Sequence, residues 1–369
     1  MSIRVATFNV ENLFSRPHVM NLPDRKESQA ILDDHAAMMR LLGQEQYSRK
    51  DKVTILGLLE KYGLGKAMQN NEYLELRVFR GQLLKRPKGK PVEVVARGCR
   101  DWMGWVELKK EAITDEAVQN TARVIADASP DIIVTVEVES RPALLRFHEL
   151  VLKPLLVKGG HEPYGHIMVI DGNDFRGIDV GIMSRFPITC MVSHVDDRTN
   201  GKPTFKRDCP EYTIGLDDGT ELVIVPNHLS SKGSDPKGNL RRIQSREVKK
   251  IYEKLCRTHK RVIVAGDLND HPAGGSLDAL LKETDLEDAM LLDAYKGEFP
   301  GTYQHANASQ KIDYLLLSPD LAQRVSAVDL NRRGFYAPTK WESYENINKE
   351  TKDRFQASDH HCLFADIDL

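Results

Sequence analysis

Short apolar runs bounded by Gly, Asn, Asp or Pro predict strands at residues 3–10 (IRVATFNV), 131–138 (DIIVTVEV), 166–170, 179–184, 221–229, 261–268, 311–318 and 362–369. Several are apolar almost throughout, as strands covered on both faces are. Apolar spacings of three and four predict helices over 28–42, 51–62, 115–127, 141–152, 240–256 and 274–283. The two kinds of element interleave, and the strands within 166–184 stand too close together for a helical crossover. This pattern predicts a layered α/β sandwich with mixed sheets.

Residues from about 18 to 112 break the pattern and read as an insertion: two helices, then a hairpin within YLELRVFRGQLLKRPKGKPVEVVARG. No Pro/Gly-rich linker sets it apart, so it is expected to pack on the main body. Between Arg77 and Lys110 ten Lys or Arg face three Asp or Glu, with Phe79, Trp102 and Trp105 interleaved. Such a run fits a solvated face, and it fits a phosphate-tracking surface with aromatic platforms.

Composition narrows the class. The chain has 369 residues, 41% of them hydrophobic and 29% charged, which is the make-up of an ordered globular protein. Its formal net charge of -2 gives no global attraction to polyanions, so any such affinity must be local. The start MSIRVATFNVENLF enters a strand pattern without a basic leader or apolar core, and no run suits a membrane span; a cytoplasmic chain is expected. Five cysteines (Cys99, Cys190, Cys209, Cys256, Cys362) lack CxxC spacing and predict reduced, mostly buried thiols.

Polar residues concentrate at strand ends: Asn9, Glu137, Asn227 with His228, Asp267 with Asn269, Asp313, and Asp359 with His360. Singly, each has a structural explanation. Glu137 fits a buried salt bridge, His228 and His360 fit core histidines, and GDLND fits a turn. Together they suit phosphodiester hydrolysis, which needs a base for water, positive charge for the phosphorane and help for the leaving oxygen. A carboxylate with few other protein ligands suits Mg²⁺, with Mn²⁺ able to substitute, and histidines without cysteine argue against structural zinc.

The segments TFNVENL (7–13), VEV (136–138), RGIDVGIMSRFPI (176–188), NHLSSKG (227–233), GDLND (266–270), KIDYLLLS (311–318) and SDHH (358–361) occur in the order of the endonuclease/exonuclease/phosphatase superfamily, which the chain resembles. The resemblance covers the chain apart from about 18–112 and a loop insertion at about 330–355. It implies a single domain whose fold is a four-layered α/β sandwich, two mixed sheets face to face with helices outside. It also implies Glu137 as metal ligand with Asn9 and Asp359. Asp267 would activate water, Asn269 would hold a phosphate oxygen, His360 oriented by Asp313 would contact the phosphate, and His228 would be the second histidine, with Asn227 alongside.

The chain departs from that pattern at Val136, where Gln is usual, and at Ser230, where Lys is frequent. Lys232 could compensate as a phosphate contact, or be a solvated loop lysine. Arg176 is expected at the substrate, Asp179 in strand-end structure, and Asp270 and His271 in the turn; Glu139 has no assigned role.

Basic segments 77–110, 232–242 and 331–341 favour nucleic acid as the substrate partner, with DNA ahead of RNA, and no obligate protein partner is inferred. A phosphorylated metabolite, nucleotide or phospholipid headgroup is the alternative substrate. A silent binding protein on the same fold would have lost Glu137, Asp267, Asn269 or His360, and all four are present.

Overall fold

Twelve strands of the computed structural model, which describes residues 1–22, 24–174 and 176–369, make two six-stranded mixed sheets. They are β1 (Ser2–Asn9), β2 (Ile132–Val138), β3 (His166–Val169), β4 (Asp179–Ser184), β5 (Ile188–Val192) and β6 (Glu211–Gly215). Then follow β7 (Glu221–His228), β8 (Val262–Asp267), β9 (Glu287–Asp288), β10 (Asp313–Leu317), β11 (Val325–Asn331) and β12 (Cys362–Asp368). One sheet has the order β11-β12-β1-β2-β4-β3, the other β5-β6-β7-β8-β10-β9.

Each sheet has one parallel pair at its centre, β1 with β2 and β7 with β8, and antiparallel neighbours outside it. Parallel strands need crossovers. α1 (Asp115–Ala128), whose first turn is capped by Thr114 Oγ1 accepting from Ala117 N at 3.3 Å, precedes β2, and α3 (Asn239–Leu255) joins β7 to β8. Between them in sequence lies α2 (Arg141–Phe147), continued by a π turn and a further helical turn to Lys158.

Period-two alternation sorts the strand residues into layers. Ile3, Val5, Val134 and Leu363 of one sheet share a buried cluster with Ile224, Ile263, Leu315 and Tyr212 of the other. The opposite faces meet helices: Ala6, Phe8 and Ile133 pack with Val118, Ala122 and Ile125 of α1, and Val223, Val262 and Val264 with Val248, Ile251 and Tyr252 of α3. Each buried Val, Leu, Ile or Phe among them contributes about 1.5–3 kcal/mol by leaving water. The result is the expected four-layered sandwich.

The chain divides into two compact units, Met1–Phe14 with Ile113–Leu369, and Ser15–Ala112. The second contains helices Arg25–Leu42 and Arg49–Lys61 over its own core of Ile31, Met38, Ile55, Leu59, Leu74, Trp102 and Val106. Its hairpin differs from expectation. Leu74–Gly81 pairs with Trp102–Leu108, and the intervening Glu93–Val94 pairs locally with Leu84–Lys85. The reason is that Trp102, Val106 and Leu108 alternate toward the core, whereas residues 79–82 face solvent.

The cysteines are free, as expected, but they are not mostly buried: Cys209 and Cys362 are, Cys190 and Cys256 are exposed. Cys190 lies on edge strand β5, and Cys256 follows the end of α3. Among the described residues no helix is long and apolar enough to cross a membrane.

Candidate active site

The parallel strands β1, β2, β7 and β8 deliver Asn9, Glu137, His228 and Asp267 at their carboxyl ends, where α/β sheets leave a crevice. Asp313, the first residue of antiparallel β10, pairs with Asp267. On the other side Gly266 permits the close approach of β8 to β7 at Asn227: its φ is +134°, and a Cβ there would lie 2.0 Å from the Asn227 carbonyl oxygen. The chain leaves these strands through left-handed backbone at Glu11 (φ 49°), Asn12 (63°), Glu137 (66°) and Asn269 (56°). For residues other than Gly this costs about 1–3 kcal/mol each, a concentration typical of functional sites.

Asp267 is the hub. Its Oδ1 accepts from Asn269 N at 2.8 Å, and its Oδ2 accepts from Asn269 Nδ2 at 3.1 Å and Asn9 Nδ2 at 3.3 Å. The same Oδ2 stands 3.7 Å from His228 Nε2 and 4.0 Å from His360 Nε2. Burial, then the Asp313 carboxylate, push the Asp267 carboxyl up to about 7. Burial and the cations Arg207 and Arg176 hold His228 well below the usual imidazole range, so it is neutral.

His360 is held from the other side. Its Nδ1 donates to Asp313 Oδ2 at 2.9 Å, and that oxygen also accepts from Thr302 Oγ1 at 2.7 Å. Ser358 Oγ accepts from His360 N at 3.0 Å and donates to the Asn9 carbonyl at 2.7 Å, tying the last loop to β1. Although burial opposes the charge, Asp313, Asp267 and Asp359 hold the His360 imidazole well above its ordinary range. One face of the ring meets Tyr303 at a centroid distance of 4.8 Å.

Glu137 is 16% exposed and sparsely partnered, with Asn12 Nδ2 at 3.5 Å and the neutral His228 Nε2 at 3.9 Å. Burial pushes its carboxyl up, against the attraction of Arg176 and His360. Asp359 belongs to the same acidic side: its Oδ1 is 3.8 Å from His360 Nε2, and its N–H donates to Glu11 Oε2 at 3.1 Å. A half-buried carboxylate with so few donors, flanked by an amide and a second carboxylate, is a donor set that fits a hard divalent cation. Asp267, Asp313 and His360 can also bring ligand atoms within 4.8 Å of one another, but there Asp313 is already bonded to the imidazole.

Other expected residues lie apart from this hub or act differently. Both amide hydrogens of Asn269 are engaged, with Asp267 and with the Leu229 carbonyl at 3.0 Å, so it holds Asp267 and has no free N–H for a phosphate. Asn227 points to the opposite face of β7 from His228, and its amide donates to Val225 O at 3.0 Å. Lys232 pairs with Asp270 Oδ1 at 3.1 Å, and Asp270 also binds Ser276. Asp179 accepts from Gly172 N at 2.8 Å, and Glu139 from Phe14 N at 2.7 Å. Arg176 lies within electrostatic reach of Glu137, with its guanidinium forked onto Asp174 at 2.6 Å.

Sequence reasoning missed Asp174, Lys206, Arg207 and Thr302. Thr302 precedes β10 in an aperiodic loop, and Asp174 and Arg207 reveal themselves through each other, 3.2 Å apart across two loops. The Arg-Asp-Cys of residues 207–209, polar residues followed by a buried thiol, is a faint signal of a buried loop.

A family profile described as the Endonuclease/Exonuclease/phosphatase family matches residues 112–360. A crystal structure of a protein of that family from Bacteroides thetaiotaomicron is similar at TM-score 0.50 and 17% identity, over 68% of this chain and 86% of that one. The human Nocturnin catalytic domain with bound sulfate matches at TM-score 0.48 and 16% identity, over 70% and 88%. A mannosyl-6-phosphatase from Bacteroides thetaiotaomicron matches at 0.47 and 18%, over 69% and 92%. No curated protein sequence matches the chain. The first of these structures supports the fold, and the profile spans most of the chain: this protein belongs to the endonuclease/exonuclease/phosphatase family.

Proposed function

We propose that the protein is a Mg²⁺-dependent phosphodiesterase that hydrolyses nucleic acid by in-line attack of water. The observation that carries the reading is the placement of Asp267, a buried carboxylate fixed by Asn9 and Asn269 and faced by His228 and His360. In this reading Asp267 Oδ2 orients the attacking water and takes its proton. His360, kept as an imidazolium by Asp313, donates from Nε2 to a phosphoryl oxygen as charge develops there. Neutral His228 accepts or donates beside Asp267 without adding charge. Glu137 would hold the cation, with Asn9 and Asp359 beside it, and a bound Mg²⁺ supplies Lewis-acid stabilisation of the phosphorane. The P–O bond to the leaving oxygen breaks as the bond to water forms, and that oxygen takes its proton from solvent.

Nucleic acid is favoured by the second unit, where 19 Lys and Arg accompany 13 Asp and Glu, and Phe79 and Trp105 are 79% and 42% exposed. A small phosphoester is the second reading. It is favoured by the pairing of that surface's cations: Arg77 with Glu107, Arg97 with Asp101 and Arg100 with Glu45.

The test is hydrolysis of supercoiled plasmid, single-stranded DNA, RNA and bis-p-nitrophenyl phosphate with Mg²⁺, Mn²⁺ or EDTA, against His360→Ala. Metal-dependent cleavage of a polynucleotide that the variant lacks supports the proposal. Turnover of the small ester alone supports the second reading, and hydrolysis that survives EDTA or the substitution overturns both.

A further inference from the structure

The loop between β5 and β6 is fastened to Gly172 and Asn173. Asn173 N donates to Lys206 O at 2.6 Å, and Asn173 Nδ2 to Phe205 O at 3.1 Å. Gly172 allows the approach, since a Cβ there would fall 2.8 Å from Arg207 Cα. Three cations are thereby gathered around one acid.

Asp174 takes both guanidiniums, Arg176 Nη2 at 2.6 Å and Arg207 Nη1 at 3.2 Å. Arg207 is 2% exposed, and its Nη2 donates at 2.6 Å to the Leu229 carbonyl that also accepts from Asn269 Nδ2. Its Nε is buried and finds no acceptor among the described residues.

Lys206 is half-buried, and its ammonium makes no ion pair or hydrogen bond with the described residues. It stands within electrostatic reach of Arg207, Arg176 and His228, and burial and the two guanidiniums hold it below the usual lysine range. Asp235 is also in reach, but its oxygens accept from Asn239 N and Arg241 N at the start of α3. Positive charge taken out of water is costly unless an anion balances it. Asp174 pairs with two of the three cations, and the Lys206 ammonium is left without an ion-pair partner among the described residues, within electrostatic reach of His228.

We propose that Lys206 and Arg176 form a second phosphate subsite beside the catalytic group, occupied by the phosphate that flanks the scissile one in a polynucleotide. Arg207 is the positioning residue, fixing Arg176 through Asp174 and Asn269 through Leu229. The proposal rests on the phosphodiesterase reading, which supplies the scissile phosphate.

The experiment compares Lys206→Met and Lys206→Arg with the wild type. Substrates are bis-p-nitrophenyl phosphate, which has a single phosphate, and a trinucleotide. A second arm titrates each metal-free protein with inorganic phosphate by calorimetry. Lys206→Met should lose about tenfold more kcat/KM on the trinucleotide than on the small ester, mostly through KM, and bind phosphate about tenfold more weakly. Lys206→Arg should recover both. Equal losses on the two substrates, or phosphate binding indifferent to Lys206→Met, overturn the subsite. If no ester is hydrolysed while phosphate binding still depends on Lys206, the phosphodiesterase reading fails and the anion site stands.

Discussion

His360 and Asp313 form a buried pair, Nδ1 to Oδ2 at 2.9 Å, and Thr302 Oγ1 holds the same carboxylate oxygen at 2.7 Å. The pair fixes the ring and stabilises its protonated form. Asp313→Asn should therefore reduce kcat for phosphodiester hydrolysis by about 10²-fold or more, the scale of a lost acid or electrostatic contribution. Thr302→Ala should cost less. Steady-state kinetics on both variants checks the order, and an Asp313→Asn protein with full turnover refutes the role of the pair.

Asp267→Asn separates chemistry from stability. The variant keeps an oxygen for Asn269 N but removes a carboxylate that burial and Asp313 already disfavour. Turnover should fall by several orders of magnitude while the melting temperature changes little, relief of the buried charge offsetting the acceptor lost to Asn269 Nδ2 and Asn9 Nδ2. Thermal denaturation beside the kinetics is the measurement, and a large loss of stability would make Asp267 a structural residue.

Glu137 should govern the response to metal. A ligand that binds the native state raises stability with its concentration, by about 2.7 kcal/mol at a hundred times its Kd. Added Mg²⁺ should raise the melting temperature of the wild type and have much less effect on Glu137→Gln. The same Mg²⁺-dependent shift in both proteins would place the cation elsewhere.

Asp179, paired in the sheet with Val138, predicts a pH dependence of stability. It is 5% exposed, and burial pushes its carboxyl up to about 7 against the hydrogen bond from Gly172 N. Its native pKa lies above the ordinary carboxylate value, so the native state holds an extra proton between roughly pH 4 and 7. Stability from this residue is accordingly lost as pH rises through that window. Asp179→Asn keeps the acceptor for Gly172 without the charge. The variant should gain on the wild type between pH 4 and 8, by about 4 kcal/mol at most at roughly 1.4 kcal/mol per unit. Denaturant titrations at the two pH values check it, and a gap that does not widen refutes it.

The strands that carry the site were legible because they are buried on both faces and read as apolar runs. β5 was not: Thr189 to Val192 are exposed on a sheet edge, so the pattern there is weak. β11 alternates too softly to stand out, with Val328 and Leu330 buried among polar neighbours. The polar groups at strand ends were legible because burial makes such residues costly without a reason. Asn227 shows the limit of that logic, since neighbours on a strand point to opposite faces and His228 takes the one toward Asp267. Lys206 and Arg207 were hidden more deeply. Their partner Asp174 comes from another loop, and no periodicity in sequence records a contact between two loops.

The left-handed backbone at Glu137 sets folding and chemistry against each other. Glycine adopts that conformation freely, and it would also remove a carboxyl group that burial disfavours. Glu137→Gly should therefore gain stability while losing that carboxylate. In the proposed function this strained acidic position is a cost in stability set against the cation that Glu137 would hold.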